Sequence, residues 1–278
     1  MIKLGLIGYP LGHSLSPVIH NAALKSCGLE GNYSLFPIHP DDKLGLEDLI
    51  NRVRSGEIHG LNVTIPHKQN VISFLDELTP TARAIGAVNT IYLHNNKLIG
   101  DNTDASGFLS DLKKVLATET LRHGDLAALV LGAGGSARAV VYALSKEGWQ
   151  VTLVARRIEQ AKQLASQFEG VYAIEFKFQS FQRSNVQLIV NTTPVGMAPD
   201  IDQSPWPEKL AFPASAAIYD LVYNPSETKL VREARYQGLK ATTGLGMLIE
   251  QAALAFEIWT GCRLSREVMS EAVKQTTI

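Results

Sequence analysis

Two ionisable residues in the N-terminal part of the chain are candidates for acid–base chemistry. Lys68 ends the segment Asn-Val-Thr-Ile-Pro-His-Lys, and Asp104 ends Gly-Asp-Asn-Thr-Asp. Each segment follows or ends a predicted strand, and an ammonium with a carboxylate can serve general acid–base catalysis. A solvated surface lysine is the alternative.

Ser14 and Ser16 could bind an anionic group. They lie two residues apart in His-Ser-Leu-Ser-Pro, immediately before a predicted helix. Their hydroxyl groups can donate to an anionic oxygen beside the free N–H groups of that helix. Ordinary N-capping of a helix that carries Pro17 at its first position is the alternative.

Further polar residues near Lys68 could orient a substrate. Strand alternation places Asn62 and Thr64 on the same side of one strand. Asn89 is a polar residue that begins a strand within an apolar stretch. Strand alternation together with the turn at Pro66 is expected to direct His67 outward. Structural or surface roles are predicted for both His67 and His13.

A glycine-rich turn near the middle of the chain predicts a site for a pyrophosphate. The apolar segment Ala127–Leu131 suits a buried parallel strand, and Gly132, Gly134 and Ala137 fit the pattern Gly-x-Gly-x-x-Ala. Residues 136–147 then have the composition of a helix, whose free N–H groups and dipole favour a phosphate. A strand, a glycine turn, a helix and a second strand in this order predict a dinucleotide site, and a plain tight turn is the alternative.

The residues that follow the second strand of the predicted dinucleotide site, 150–154, distinguish NADP from NAD. NAD sites usually have Asp or Glu there to bind the ribose 2′-hydroxyl, whereas this chain has Ala155, Arg156 and Arg157. A guanidinium can bind a 2′-phosphate through two hydrogen bonds, each worth roughly 1.5–3 kcal/mol. The sequence therefore predicts NADP as the cofactor, and a solvated basic turn is the alternative.

Composition and charge exclude several classes of protein. The chain has 278 residues, is 45% hydrophobic and carries a formal net charge of −1, so neither nucleic acid nor an anionic membrane is an expected partner. It shows no spacing typical of a metal site and no apolar run of transmembrane length. We expect Cys27 and Cys262 to be reduced and the protein to be cytoplasmic.

The alternation of strands and helices predicts an α/β fold. We expect two α/β domains with a cleft between them, the C-terminal one a Rossmann-like doubly wound parallel sheet. The substrate-binding and catalytic domain comprises 1–104 plus 245–278, and the NADP-binding domain comprises 105–244. The apolar helix at 245–259 is predicted to return to the first domain, and the Pro-rich segment 194–213 is predicted to be a loop.

The individual elements follow from hydrophobic periodicity and turn residues. The predicted strands are 2–8, 33–38, 60–65, 88–93, 97–100, 126–131, 150–154, 171–175, 186–190 and 216–220. Helices are predicted from Pro17 through Leu24 and at 44–54, 71–75, 81–85, 105–116, 136–147, 158–168 and 245–259.

Eight motifs together resemble the shikimate dehydrogenase family. They occur in the family's order and span nearly the whole chain, so a chance match is excluded in practice. The motifs are Gly-Tyr-Pro-Leu-Gly-His-Ser-Leu-Ser-Pro-Val-Ile-His-Asn (8–21), Asn-Val-Thr-Ile-Pro-His-Lys (62–68), Gly-Ala-Val-Asn-Thr (86–90), Gly-Asp-Asn-Thr-Asp (100–104), Gly-Ala-Gly-Gly-Ser (132–136), Asn-Thr-Thr-Pro-Val-Gly-Met (191–197), Asp-Leu-Val-Tyr-Asn-Pro (220–225) and Gly-Leu-Gly-Met-Leu-Ile-Glu-Gln-Ala (244–252).

The resemblance implies reversible NADP-linked oxidation of shikimate to 3-dehydroshikimate, a step in aromatic amino-acid biosynthesis. It implies that Lys68 and Asp104 are the catalytic pair, with Lys68 acting either as the proton acceptor or as a fixed positive charge beside a developing alkoxide. It also implies that the substrate is bound by Ser14, Ser16, Asn62, Thr64, Asn89, Tyr223 and Gln251. The cofactor-binding residues that it implies are Gly132, Ala133, Gly134, Gly135, Ser136, Ala155, Arg156, Arg157, Leu221, Gly244 and Met247.

One segment departs from the family pattern. The family often shows Asn-Arg-Thr-x-x-Arg after the second strand of the dinucleotide domain, whereas this chain has Ala155 and Gln160 at the outer positions. NADP remains the predicted cofactor, and the departure bears on how strongly it is preferred over NAD. Two alternative functions stay open. One is a quinate/shikimate dehydrogenase with a relaxed preference between NAD and NADP, and the other is a non-catalytic nucleotide-binding sensor of the same fold. A monomer or a homodimer is expected.

Overall fold

A computed structural model of the chain describes residues 1–116, 126–177, 185–208 and 210–276. Parts of the predicted dinucleotide domain, namely 117–125, 178–184 and 209, lie outside the described residues, as do 277–278. The chain divides into two compact units: unit 1 is Met1–Gly107 with Ile249–Ile278, and unit 2 is Phe108–Leu248. Each unit contains one sheet flanked by helices, so the predicted α/β fold is confirmed.

Unit 1 contains a mixed sheet of six strands in the order β2-β1-β3-β5-β6-β4. Strands β1, β2 and β3 are parallel, whereas β5 pairs antiparallel with both β3 and β6. The six strands are β1 (Ile2–Gly8), β2 (Gly31–Pro37), β3 (Gly60–Val63), β4 (Glu77–Leu78), β5 (Thr90–His94) and β6 (Lys97–Asp101).

The hairpin between β5 and β6 is closed by Asn95 and Asn96, which have φ angles of 49° and 61°. Asparagine tolerates this left-handed conformation better than most residues, and two such residues form the turn that matches the twist of a hairpin. The hairpin predicted around these two asparagines is therefore present. It brings Asn89, just before β5, beside Asp101 at the end of β6.

Two helices of unit 1, α2 and α3, begin at side chains that cap them. The Asp42 side chain accepts from the Gly45 N–H at the start of α2, and the Thr79 hydroxyl accepts from the Ala82 N–H at the start of α3. The helices are α1 (Ser16–Ser26), α2 (Lys43–Arg54), a 3-10 helix (Asn70–Phe74), α3 (Pro80–Ile85), the start of α4 (Asp104–Leu116), the end of α8 (Leu245–Thr260) and α9 (Arg266–Thr276).

Unit 2 contains a fully parallel sheet in the order β12-β11-β10-β7-β8-β9, the doubly wound arrangement that the sequence predicts. Its strands are β7 (Ala127–Leu131), β8 (Gln150–Ala155), β9 (Val171–Glu175), β10 (Leu188–Asn191), β11 (Ala217–Asp220) and β12 (Ala241–Thr243). Its helices, besides most of α4 and the start of α8, are α5 (Gly135–Lys146), α6 (Ile158–Ala165) and α7 (Lys229–Tyr236).

Each unit has its own hydrophobic core. In unit 1, residues such as Ile50, Val53 and Leu61 pack between α2 and the sheet and are almost fully buried. In unit 2, the central strands carry Leu129 and Ile189, both fully buried, as expected for a parallel sheet covered on two faces. Such cores hold the strand ends, and hence the polar residues there, in fixed positions.

Several elements were not predicted from the sequence. Strand β12 has only three residues and depends on pairing with β11, and β4 has two. Helices α7 and α9 were also missed, because α7 is short and α9 buries only Met269 and Val273 among its residues. The Pro-rich segment 194–213 contains no helix or strand among its described residues, as predicted.

The expectation that both cysteines are reduced is wrong. Cys27, which follows α1, forms a disulfide bond with Cys262, which lies between α8 and α9, although 235 positions separate them. The packing of α9 against α1 brings the two cysteines together. The bond therefore joins the N-terminal and C-terminal segments of unit 1.

Within the described ranges, no helix is both long enough and apolar enough to cross a membrane.

Candidate active site

Lys68 and Asp104 form a buried ion pair in unit 1. The Lys68 Nζ atom lies 2.5 Å from Asp104 Oδ2, and the two residues are 8% and 4% exposed. The Lys68 carbonyl also accepts from the Val88 N–H at 2.7 Å, which fixes the backbone of the lysine. The surface-lysine alternative is therefore wrong, because the ammonium is held against a carboxylate away from bulk water.

The side chain of Asn89 connects this pair to the sheet. Its Nδ2 donates to Asp104 Oδ1 at 2.8 Å and to Thr103 Oγ1 at 2.9 Å, and its Oδ1 accepts from the Thr103 N–H at 2.8 Å. Nδ2 also lies 3.3 Å from Gln251 Oε1. Asn89 is 2% exposed, so this amide is a rigid connection between the start of β5 and the start of α4.

The start of α4 places a carboxylate where a helix favours one. Asn102 Oδ1 accepts from the backbone N–H groups of Asp104 and Ala105, and Asn102 Nδ2 donates to the Ala87 carbonyl. Asp104 is the first residue of the helix, where the partial positive charge of the helix dipole stabilises an anion. Asn102 was missed from the sequence, although an Asn two residues before a helical pattern is a capping signal.

Asn62 is held by two groups of the protein. Its Oδ1 accepts from the Tyr33 hydroxyl at 2.8 Å, and its Nδ2 donates to the Asn89 carbonyl at 3.1 Å. The ring of His20 stacks on that of Tyr33, with 4.3 Å between the centroids. Burial lowers the pKa of His20 to about 3, so its ring is neutral at physiological pH.

The remaining predicted substrate residues of unit 1 lie at the ends of β1 and β3 and on α8. The Ser14 hydroxyl accepts from the Ser16 N–H at 3.2 Å in the turn before α1. The N-cap residue of α1 is Leu15 and no side chain caps the helix, so ordinary capping by these serines, the alternative interpretation, does not occur. Ser16 is 7% exposed and Ser14 is half-buried. Thr64 follows β3, and its N–H donates to the Ile7 carbonyl at 2.8 Å.

The expectation that His67 points outward is wrong. His67 is 1% exposed, and its Nε2 lies 2.7 Å from the Ile38 carbonyl. The chain turns after Thr64, with the His67 N–H donating to the Thr64 carbonyl, and this turn directs the imidazole into the protein. Strand alternation does not continue through a turn, which is why the prediction failed. His67 lies beside Lys68 in the chain and helps to fix the turn that carries it.

The glycine turn of unit 2 has the geometry of a phosphate site. Gly132 has φ of +111°, and a Cβ there would lie 2.6 Å from Thr192 Oγ1, so only glycine fits. A Cβ at Gly134, the residue before α5, would meet no atom within 4 Å. Open space therefore lies before the free N–H groups of Gly135 and Ser136 at the start of α5, which fits a pyrophosphate.

The end of β8 carries the predicted 2′-phosphate residues. Ala155 is buried at the last position of the strand, and Arg156 and Arg157 are exposed. Gln160, on α6, donates through Nε2 to the Ala133 carbonyl at 3.0 Å. This hydrogen bond ties α6, which directly follows Arg156 and Arg157, to the glycine turn.

The other predicted cofactor residues lie together after β11 and β12. A Cβ at Gly244 would lie 2.2 Å from the Leu221 carbonyl, so glycine is required there for close packing. Met247 follows in the first turn of α8 and is 7% exposed. Burial raises the pKa of Tyr223 above its ordinary value, so its phenol stays protonated and can donate a hydrogen bond.

Two polar residues of this region were not singled out from the sequence. Asn191 and Asp220 end the neighbouring strands β10 and β11, and both are fully buried. The usable signal was a polar residue at the last position of each of two apolar strands. No group of three or more His, Cys, Asp or Glu side chains that could hold a metal ion occurs in the described parts of the chain.

Three family models match the chain. The model for the shikimate dehydrogenase substrate binding domain matches residues 6–91, that for shikimate / quinate 5-dehydrogenase matches 115–193, and that for the shikimate 5′-dehydrogenase C-terminal domain matches 244–274.

The chain is also similar to curated proteins and solved structures over nearly its whole length. Shikimate dehydrogenase (NADP(+)) from Bacillus subtilis (strain 168) is 39% identical over 273 residues, covering 97% of this chain and 95% of that protein. The protein of the same name from Salinibacter ruber is 42% identical over 282 residues, covering 97% and 95%. The crystal structure of shikimate 5-dehydrogenase from Thermus thermophilus in complex with NADP(H) and shikimate has a TM-score of 0.85, 39% identity and 99% coverage of both chains.

Proposed function

The chain belongs to the shikimate dehydrogenase family, and from this membership we propose that it catalyses the reversible NADP-linked oxidation of shikimate to 3-dehydroshikimate. This is a step in aromatic amino-acid biosynthesis. The observation that carries the proposal is the buried pair of Lys68 and Asp104, because a protein that only senses a nucleotide needs no proton-transfer group. The sensor alternative therefore lacks support, and the quinate alternative is an outcome of the test below.

In the proposed reaction Lys68 and Asp104 handle the proton of the reacting hydroxyl. Bound NADP⁺ would supply the hydride acceptor. A Lys68 amine that has first passed one proton to Asp104 or to solvent would receive the proton as the hydroxyl becomes a carbonyl, whereas the charged ammonium would instead stabilise the developing negative charge on that oxygen. Asp104 holds the ammonium in place at 2.5 Å, and Asn89 fixes the other oxygen of that carboxylate. In the reverse direction Lys68 would return the proton.

We assign substrate recognition to the polar residues around this pair. Ser14 and Ser16, at the start of α1, would donate to the substrate carboxylate beside the free N–H groups of the helix. The ring hydroxyls would be oriented by Asn62, Thr64, Asn89, Tyr223 and Gln251. Asn62 has less capacity to bind the substrate than the other residues, because its Oδ1 already accepts a hydrogen bond from the Tyr33 hydroxyl. On this assignment, 1–104 with 245–278 is the substrate-binding domain and 105–244 the NADP-binding domain.

Cofactor binding is assigned to the glycine turn and to the ends of β8, β11 and β12. Gly132, Ala133, Gly134, Gly135 and Ser136 would hold the pyrophosphate. Arg156 and Arg157, after Ala155, would bind the 2′-phosphate, since both guanidinium groups are exposed. Leu221, Gly244 and Met247 would contact the nicotinamide.

Nicotinamide absorbance tests the proposed function directly. The purified protein is mixed with shikimate and NADP⁺, shikimate and NAD⁺, quinate and NADP⁺, and quinate and NAD⁺. Reduction that is fastest with shikimate and NADP⁺ supports the proposal. Comparable rates with quinate or NAD⁺ would support the relaxed dehydrogenase, and no reduction with any pair would contradict both.

Replacement of Arg156 tests the choice of cofactor. Arg156→Ala should weaken NADP⁺ binding by about tenfold to a hundredfold and leave NAD⁺ binding nearly unchanged, because only NADP⁺ carries the 2′-phosphate. The matched control is Arg232→Ala, which removes another exposed arginine of unit 2. Equal effects of the two variants on NADP⁺, measured by calorimetry, would contradict the assignment.

A cytoplasmic location and a monomeric or homodimeric state are part of the same proposal. Light scattering on the full-length protein measures the oligomeric state. Cell fractionation followed by detection of the protein measures its location.

A further inference from the structure

Asp220 is a buried acid to which the proposed mechanism assigns no role. It is the last residue of β11, is fully buried, and pairs in register with Asn191 at the end of β10. Both strands end at the same edge of the parallel sheet as β7, whose last residue precedes the glycine turn. The carboxyl edge of such a sheet is where dinucleotides bind.

The Asp220 carboxylate accepts three hydrogen bonds from three different segments. Asn191 Nδ2 donates to Oδ1 at 2.8 Å, the Val222 N–H donates to Oδ1 at 3.0 Å, and Thr228 Oγ1 donates to Oδ2 at 2.7 Å. Thr228 is itself fully buried and caps α7. One side chain thus joins the end of β10, the segment after β11 and the start of a helix.

Asn191 extends this connection into the neighbouring loop. Its Oδ1 accepts from the Thr193 N–H at 2.9 Å and from the Thr193 hydroxyl at 2.7 Å, and its carbonyl accepts from the Leu221 N–H at 2.9 Å. The Ala198 N–H donates to the Asn224 carbonyl at 3.0 Å. The loops 191–198 and 221–228 therefore form one connected body around Asp220.

A carboxylate is the group that this arrangement requires. Two oxygens that both accept can satisfy Asn191, Val222 and Thr228 at once. An amide of the same shape would instead place a donor against Thr228 Oγ1, which already accepts from the Val231 N–H at 3.3 Å. Burial raises the pKa of Asp220 to about 6, so the carboxylate is mostly ionised at neutral pH despite its position.

We propose that Asp220 is a positioning residue for hydride transfer, which holds Leu221 to Tyr223 in the conformation that receives the nicotinamide. Asp220 touches neither ligand. It acts through the backbone of Val222 and through Asn191, so its loss should disturb the nicotinamide end of the cofactor and leave the 2′-phosphate end intact. This inference rests on the proposed function, since it assumes that Leu221 contacts the nicotinamide.

The test compares two ligands on the full-length protein. NADP⁺ contains the nicotinamide, and 2′-phospho-ADP-ribose lacks it but keeps the pyrophosphate and the 2′-phosphate. For Asp220→Asn we expect kcat to fall by about tenfold to a hundredfold, since a misplacement of about 1 Å has effects of this size. Calorimetry should show weaker binding of NADP⁺, whereas the affinity for 2′-phospho-ADP-ribose should stay within about twofold.

A second pair of variants keeps the test decisive if Asp220→Asn does not fold. Thr228→Val removes the hydroxyl that donates to Asp220, and Thr228→Ser keeps it. Thr228→Val should weaken NADP⁺ binding, leave 2′-phospho-ADP-ribose binding unchanged and lower kcat by less than Asp220→Asn does. Thr228→Ser should behave like the wild type.

The outcomes separate this inference from the proposed function. Equal weakening of both ligands, or an unchanged kcat in Asp220→Asn and Thr228→Val, would overturn the positioning role while the proposed function stands. A wild-type protein that binds neither ligand and reduces no NADP⁺ would overturn the proposed function, and the inference with it.

Discussion

Unit 1 and unit 2 each bury one aspartate near the predicted site, and the two are surrounded differently. Asp104 begins α4 and lies 2.5 Å from the ammonium of Lys68, with Asn89 bound to its other oxygen. Asp220 ends β11, and the partners that its carboxylate contacts in the described structure, Asn191, Val222 and Thr228, are all neutral donors. The Asp104 carboxylate is placed to exchange a proton with the Lys68 ammonium, whereas the Asp220 carboxylate holds three neutral donors in place.

Each unit bears the free-energy cost of burying a charged side chain. A buried ion is expensive unless it is paired, and the mutual attraction of Lys68 and Asp104 offsets part of that cost in unit 1. In unit 2 the cost is visible as the raised pKa of Asp220. An ionisable side chain whose burial destabilises the fold, and which is hydrogen-bonded to loops of the predicted site, is a candidate for a functional role rather than for a stabilising one.

The largest expected effect comes from removing the cation of unit 1. Lys68→Ala should lower kcat by about 10²–10⁴-fold with a smaller change in the KM for shikimate, because the ammonium acts on the reacting oxygen. Steady-state kinetics with shikimate and NADP⁺ measure both constants. Lys97→Ala is the matched control, since Lys97 pairs with Glu77 at the surface of the same unit. A rise in KM with kcat unchanged would reduce Lys68 to a binding residue.

The next largest effect tests whether Asp104 compensates a buried charge. Asp104→Ala should destabilise unit 1 by about 3–5 kcal/mol, because it leaves the Lys68 ammonium buried without a counter-charge. The double variant Lys68→Met with Asp104→Ala should be more stable than Asp104→Ala alone. Urea unfolding gives these free energies, and Asp41→Ala, at an exposed position, is the control. A double variant less stable than the single one would refute the compensation.

A third prediction concerns the pH dependence of stability in unit 2. The pKa of Asp220 is raised from its ordinary 3.8 to about 6, so the protonated form is favoured in the folded protein. Its stabilising contribution is present below pH 3.8 and is lost as the pH rises through 6, a change of roughly 3 kcal/mol.

Asp220→Asn removes this titration and serves as the reference for it. The difference in unfolding free energy between the wild type and Asp220→Asn should therefore shift against the wild type as the pH rises from about 4.5 to about 7. Urea unfolding at several pH values measures the shift. A difference that does not depend on pH would show that Asp220 titrates as an ordinary aspartate.

The smallest expected effect comes from the support behind Asn62. Tyr33→Phe removes the hydroxyl that donates to Asn62 Oδ1 and should cost about 1 kcal/mol of stability, with kcat lowered by less than about fivefold. Thermal unfolding and steady-state kinetics measure the two. Tyr236→Phe, at a residue 93% exposed, should change neither. A loss of kcat as large as that of Lys68→Ala would place Tyr33 within the catalytic group.

Local patterns were sufficient to predict most elements of both sheets. The strands β7 and β8, the glycine turn and helix α5 follow from an apolar run, two glycines and an alanine-rich segment, all within roughly 30 residues. The hairpin at Asn95 and Asn96 follows from turn residues alone. The elements that were missed, such as β12 and α9, owe their existence to partners distant in the chain, namely β11 and α1.

For the site, as for the fold, local patterns gave the residues but not the contacts that distant parts of the chain make. Motif residues such as Lys68, Asp104 and Asn89 could be named, because their segments are distinctive. The hydrogen bonds between them could not, because Asn89 meets Asp104 only after β5 and β6 pair. The burial of His67 and the disulfide between Cys27 and Cys262 likewise contradict expectations that rested on local alternation and on composition.

The sequence by itself determined the order of elements, the chemistry of the predicted site and the family, because these depend on residue types at fixed spacings. The tertiary structure alone decided which polar groups are buried against each other. Asp220 shows the physical reason. Its carboxylate accepts hydrogen bonds from Asn191 and Thr228, and these donors come together only when the parallel strands align and a helix packs beside them. Burial and hydrogen bonding are properties of the folded chain, and they turn an unremarked aspartate into a residue with a testable role.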